Sequence, residues 1–176
     1  MFGFGKKKKP TLEVLGMALM QVGWNAELGE NERNAVQQSG VNLDVYQGEI
    51  ICLSLFSSVY AFSIWAAERS LTQDQVKTVM SSFYAFVEQQ CSELPMSNEM
   101  YELISNRMKQ YHAAQKVDEE AATENALSLE LPMVFVTSLA VGQSEPPMEL
   151  MAGVTSRFHG IMDAAESILD DLWSKM

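Results

Sequence analysis

The chain has 176 residues, 47% hydrophobic and 20% charged, with only five prolines and ten glycines. That suits one domain with its own core and excludes a disordered or collagen-like chain. Net charge is −11, but Lys6, Lys7, Lys8 and Lys9 hold four of the twelve basic residues; from Pro10 onward eight basic residues face twenty-three acidic ones, a net −15. Such a body excludes nucleic acid as a partner, because phosphate binding rests on Lys and Arg.

Residues 1–10 read as a mobile basic tail, and 11–176 as a single helical domain. Phe2, Phe4, Lys6, Lys7, Lys8 and Lys9 are candidates for a weak membrane-surface contact or for an acidic partner. No secretory leader is expected, because Glu13 interrupts the apolar stretch after the lysines and Gln21 and Trp24 occupy the cleavage region. Phe2 stands where myristoylation needs Gly, and the terminal WSKM has no prenylation cysteine.

Thr11 opens a first helix expected to run to about Leu28, with Leu12, Leu15, Leu19 and Val22 on one face. Residues 29–40, GENERNAVQQSG, are polar and predict at most one helical turn. A second helix is expected over about 44–69, capped by Asn42 or Asp44. Thr72 and Gln75 form a capping box for a third, whose apolar face is Val76, Val79, Met80, Phe83, Phe86 and Val87. Pro95 ends it. Ser97 can cap a fourth, to about Lys116, with Met100, Tyr101, Ile104, Met108 and Tyr111 along one side. Asp118, Glu119 and Glu120 suit the positive end of a following helix. Residues 119–142 are read as a helix kinked at Pro132, with a strand as the alternative over 131–142. Pro146 and Pro147 open the last helix.

In the second helix, Ile50 to Ala67 are eighteen uncharged residues, closed by Glu49 and Glu68. At helical rise they span about 27 Å, just under a bilayer core. Four serines, acidic flanks and the want of a second such span favour burial at the centre of a bundle instead. Ser54, Ser58 and Ala61 form a small-residue stripe where another helix can approach closely. Phe56, Tyr60, Trp65, Phe83 and Phe86 form an apolar cluster, read as core or as the wall of a small apolar-ligand cavity. Trp24 and Trp65 each begin a W-x-A-E sequence, an isolated echo that supports no repeat.

On the last helix Met151, Val154, Phe158, Ile161, Ala165, Ile168 and Leu172 follow three–four spacing, with Trp173 beyond. This stripe faces the bundle core or, with Met151, Val154, Phe158, Ile161, Ile168 and Leu172 as the interface, a second copy in a homodimer.

Catalytic signatures are not found. His112 and His159 have no His or Cys at metal-ligand spacing, and no phosphate-binding glycine loop or nucleophile elbow is present. Asp163, Glu166 and Asp170 share one face of the last helix and read as a solvated acidic surface. No cofactor or metal is expected. Cys52 and Cys91 read as free thiols of a reducing compartment. The expectation is an all-α bundle of five or six helices around a buried apolar helix: a non-enzymatic cytoplasmic protein-binding module. An apolar-ligand binder and a peripheral membrane protein are the alternatives.

Overall fold

The computed structural model describes residues 9–25, 27–94, 97–123, 129–139 and 150–176. Among these the chain is all helical, with seven helices: α1 Leu12–Trp24, α2 Glu30–Gln38, α3 Leu43–Glu68, α4 Gln73–Ser92, α5 Ser97–Thr123, α6 Glu130–Leu139 and α7 Met151–Trp173. The expected bundle around a central apolar helix is therefore present, with more helices than the five or six expected. The additional one is α2. It buries only Val36, and its polar sequence masked it; Arg157 from α7 and Tyr46 from α3 both bind Glu32 and hold it. Short helices draw most of their stability from such tertiary contacts.

The central helix begins as its residues dictate. Asn42 Oδ1 accepts from the amides of Asp44 and Val45 at 2.8 and 3.2 Å, satisfying two of the donors every helix start leaves free. Residues 52–58 are buried without interruption, and α3 touches α1, α2, α5, α6 and α7. This helix is long and apolar enough to cross a membrane, yet 67% of its apolar window is buried inside the protein. Ser57 and Ser58 donate to the carbonyls of Leu53 and Leu55. These local bonds let hydroxyls sit in an apolar interior. Ser54 and Ala61 are equally buried.

α3 ends in a Schellman turn. The Leu71 amide donates to Ala66 O and the Ser70 amide to Ala67 O, with Ser70 at φ 52° where glycine is usual. The capping box then starts α4, with Thr72 N to Gln75 Oε1 at 2.8 Å and Gln75 N to Thr72 Oγ1 at 3.3 Å.

Glycines let α1 approach α3 and α4 closely. A Cβ on Gly16 would lie 2.4 Å from the Val79 carbonyl oxygen of α4, and one on Gly23 would lie 2.8 Å from the Leu55 Cα of α3. Only glycine fits either place. α1 ends at Trp24 rather than at Leu28, and Leu28 is buried beyond it.

Three other boundaries differ from expectation. α5 runs on to Thr123, so Asp118, Glu119 and Glu120 lie in its last turns and not at a helix start. Their charges oppose the α5 dipole, but Asp118 turns its carboxylate to the start of α6, where it accepts from the amides of Glu130 and Leu131 at 2.9 and 3.0 Å. Pro132 falls in the first turn of α6, where a missing amide is harmless, so it makes no kink. Residues 131–139 are helix, not strand; 140–142, Pro95, Pro146 and Pro147 lie outside the described residues.

Candidate functional site

α7 runs in the same direction as α3 and packs along it. Phe158 stacks on Phe56, and Trp173 meets Trp65 edge-on with ring centroids 5.4 Å apart. Val154, Phe158, Ala165 and Leu169 are buried. Of the expected seam, Ile168 is 37% exposed, and Met151, Ile161 and Leu172 are half-buried. A straight helix repeats every 3.6 residues and drifts from a strict seven-residue pattern, so Leu169 takes the inward place read for Ile168. Asp170 is no merely solvated carboxylate: it accepts from the Trp65 indole at 2.8 Å and pairs with Arg69, whose guanidinium lies over the Trp65 ring. His159 donates to the Thr155 carbonyl, one turn back.

The aromatic cluster divides between two places. Phe56 and Tyr60 meet Tyr111 and Phe158 in the middle of the bundle, while Trp65 meets Phe62 and Trp173 at the far end of α3. Phe83 is buried and contacts Tyr84 edge-on; Phe86 is half-buried. Two cavities lie elsewhere, between helix pairs at the surface. Of the basic tail, Lys9 donates to the Met176 carbonyl at 2.9 Å. Phe2, Phe4, Lys6, Lys7 and Lys8 lie outside the described residues.

One cavity is an open groove of about 750 Å³ between α5 and α6. Its α5 wall carries Arg107, Gln110, Ala113, Ala114 and Val117; its α6 wall carries Glu130, Met133, Val134, Thr137 and Ser138. The two helices are antiparallel, since the α6 start is capped from the α5 end. Ala113, Ala114 and Ser138 are its small residues, and Val117, Met133 and Val134 its larger apolar ones. Val117 is 47% exposed, and Leu129, just before α6, is 45% exposed.

Polar contacts lie at both ends of this groove. At one end Asp118 ties α5 to the α6 start. At the other Arg107 reaches inward to Glu49 of α3, its Nε and Nη2 lying 2.8 Å from the carboxylate, while Nη1 donates to Gln110 at 2.7 Å. Glu49 is only 4% exposed, and Tyr111 donates to it at 3.3 Å. A charge so placed is tolerable only when fully paired. The bond to Glu49 raises the Arg107 pKa and keeps its guanidinium charged. Burial first, and the Glu49 charge second, push the Tyr111 phenol well above its ordinary 10.0 and keep it a neutral donor. Burial likewise raises the thiols of Cys52 and Cys91, Cys52 further by the nearby Glu49 charge. Neither is poised as a thiolate nucleophile.

A second cavity, about 550 Å³, lies between α2 and α7 and is lined by Asn31, Glu32, Tyr46, Ser156, Arg157 and the glycines Gly153 and Gly160, among others. Three of its polar groups are joined: Arg157 pairs with Glu32, and Tyr46 donates to Glu32 at 2.9 Å. Among the described residues no group of three His, Cys, Asp or Glu side chains could hold a metal ion.

None of the groove residues was singled out in the sequence as part of a site. Glu49 and Arg107 lie 58 positions apart, and no local pattern joins them. The one available signal was Glu49 itself, a carboxylate at the edge of an apolar run on a helix expected to be buried, which required a cation from elsewhere. Comparison with protein-family models, with curated proteins and with solved structures returned no match.

Proposed function

We propose that this chain is a non-enzymatic helical protein-binding module whose α5–α6 groove receives a partner. The groove carries the reading. It is open, its lining mixes apolar Val117, Met133 and Val134 with polar side chains, and Val117 stands exposed in it. Exposed large apolar side chains gathered at one concavity mark interaction surfaces. Met133 suits such a wall, because its flexible thioether adapts to a partner's shape. The acidic body discourages anionic partners and steers basic ones toward it. A cytoplasmic site of action is part of the same proposal, since two unpaired buried thiols suit a reducing compartment.

The groove's volume also lies in the range of small-molecule sites, which supports an apolar ligand as the second reading. Affinity capture with the wild-type chain and with Ala113→Glu separates the two. Ala113 is exposed in the groove lining, so the variant places a charge there without disturbing the core. A polypeptide retained by the wild type and lost from the variant supports the proposal. Identical captures from both, with a small molecule released from the wild type on denaturation, support the ligand reading and end the first.

A further inference from the structure

We infer that the cleft between the end of α4 and the start of α5 is a second binding site, one that takes an arginine side chain of a partner protein. The cleft holds about 290 Å³ and is lined by Glu88, Cys91, Ser92, Asn98, Tyr101 and Glu102. It shares no residue with the α5–α6 groove. Every one of these side chains can accept a hydrogen bond, and none is a cation. Other cavities with a glutamate hold a cation as well: Arg157 with Glu32, Arg107 with Glu130, and, between α1 and α4, Lys77 with Glu13. Here neither Glu88 nor Glu102 pairs with a cation among the described residues. Cys91 is 2% exposed, and its thiol, a weak acceptor, lines the cleft with no hydrogen-bond partner among the described residues.

The flanking helices do not supply the missing charge. α4 ends with Glu93 as its C-cap and no basic residue in its last turn, so its dipole adds to the negative potential. Glu102 lies beyond the first turn of α5, outside the reach of that helix's positive end. Two carboxylates and an aromatic ring in one cleft suit a guanidinium above other cations. Its planar fork donates to carboxylates in pairs, and its face stacks on tyrosine. The cleft's volume falls just below the roughly 300–1,000 Å³ of small-molecule sites, so it admits one long side chain rather than a whole ligand. The surface beside it can hold the residues that flank such a side chain. Tyr84, one turn before Glu88, is 41% exposed, and Leu94, two residues past Ser92, is 39% exposed. Burial first, and Tyr101 second, raise the Tyr84 phenol, so the two tyrosines are neighbours.

The test is fluorescence anisotropy of a labelled peptide, three repeats of Arg-Gly-Ser, titrated with the full chain. Binding is expected, with amide NMR shifts centred on Glu88, Tyr101 and Glu102. These three side chains are exposed, so replacing them spares the core. Affinity should fall at least about tenfold with Glu88→Gln and Glu102→Gln together, and about two- to fivefold with Tyr101→Ala. Asp163→Asn with Glu166→Gln removes the same charge from α7 and should leave affinity within about twofold. Equal losses from the two double variants would show diffuse attraction to an acidic body and overturn the site, as would no binding at all. Equal binding of three repeats of Lys-Gly-Ser would overturn guanidinium recognition. The chain's own lysines are the competing occupant: a peptide that binds only after residues 1–8 are deleted would give the cleft to the tail and overturn the partner.

Discussion

The α1 side of the bundle and the α5–α6 hairpin are built by opposite means. α1 meets α3 and α4 through glycines, with backbone against backbone. At Gly16 and Gly23 no room remains for a side chain, and Ser82 bridges α1 and α4 by donating to the Glu13 carbonyl at 2.9 Å, beside a surface cleft that both residues line. The α5–α6 hairpin is joined to its surroundings by long polar side chains, Arg107 to Glu49 and Asp118 to the α6 amides. Between these contacts α5 and α6 leave a surface groove. The same chain thus spends small residues where it closes a seam and charged ones where it keeps a groove.

The largest effect is expected from the buried ion pair. Glu49→Ala should lower stability by about 3–5 kcal/mol, because it strands the Arg107 charge. In urea denaturation, the double replacement Glu49→Leu with Arg107→Met should recover much of that loss. A single variant as stable as wild type would show that water reaches the pair freely and that nothing holds the groove at that end.

On the closed side, Gly16→Ala should cost about 1–3 kcal/mol, since its methyl group meets a carbonyl oxygen and backbone must move. Ser58→Leu, which enlarges a fully buried position on α3, should fall in the same range. Unchanged melting temperatures would mean that α1 is not seated as closely as its glycines indicate.

Asp118→Ala should cost about 1 kcal/mol, the usual value of a helix-start cap. Hydrogen exchange should quicken in α6 and leave α1 and α3 unaffected. Uniform quickening would show instead that the hairpin and the α1 side unfold as one unit.

Stability should also fall at alkaline pH. Cys52 and Tyr111 have folded pKa values raised above their ordinary 9.0 and 10.0. The unfolded chain therefore loses these protons first, and the contribution present below about pH 9 declines as pH rises. Cys52→Ala should remove the earliest part of that decline, measured as the urea midpoint between pH 8 and pH 10.

The smallest effect is expected from Ser70→Gly. It relieves a serine held at positive φ but loosens the unfolded chain, for a net change under about 1 kcal/mol.

What the sequence determined by itself was everything carried by local pattern. The helical class, the Asn42 and Thr72 starts and the inward α3 follow from periodicity, capping chemistry and an uncharged run, all of which act within a few residues. Val154 and Phe158 were legible on α7 for the same reason. Tertiary structure alone decided the rest. α2 exists because Glu32 finds Arg157 and Tyr46; Asp118 serves a helix that begins twelve residues later; Gly16 and Gly23 matter only for what they face. The groove belongs to this second group, because its walls come from two helices and its inner fixture, Glu49, from a third. Pairings between distant positions depend on how whole helices pack, and no short stretch of sequence records that.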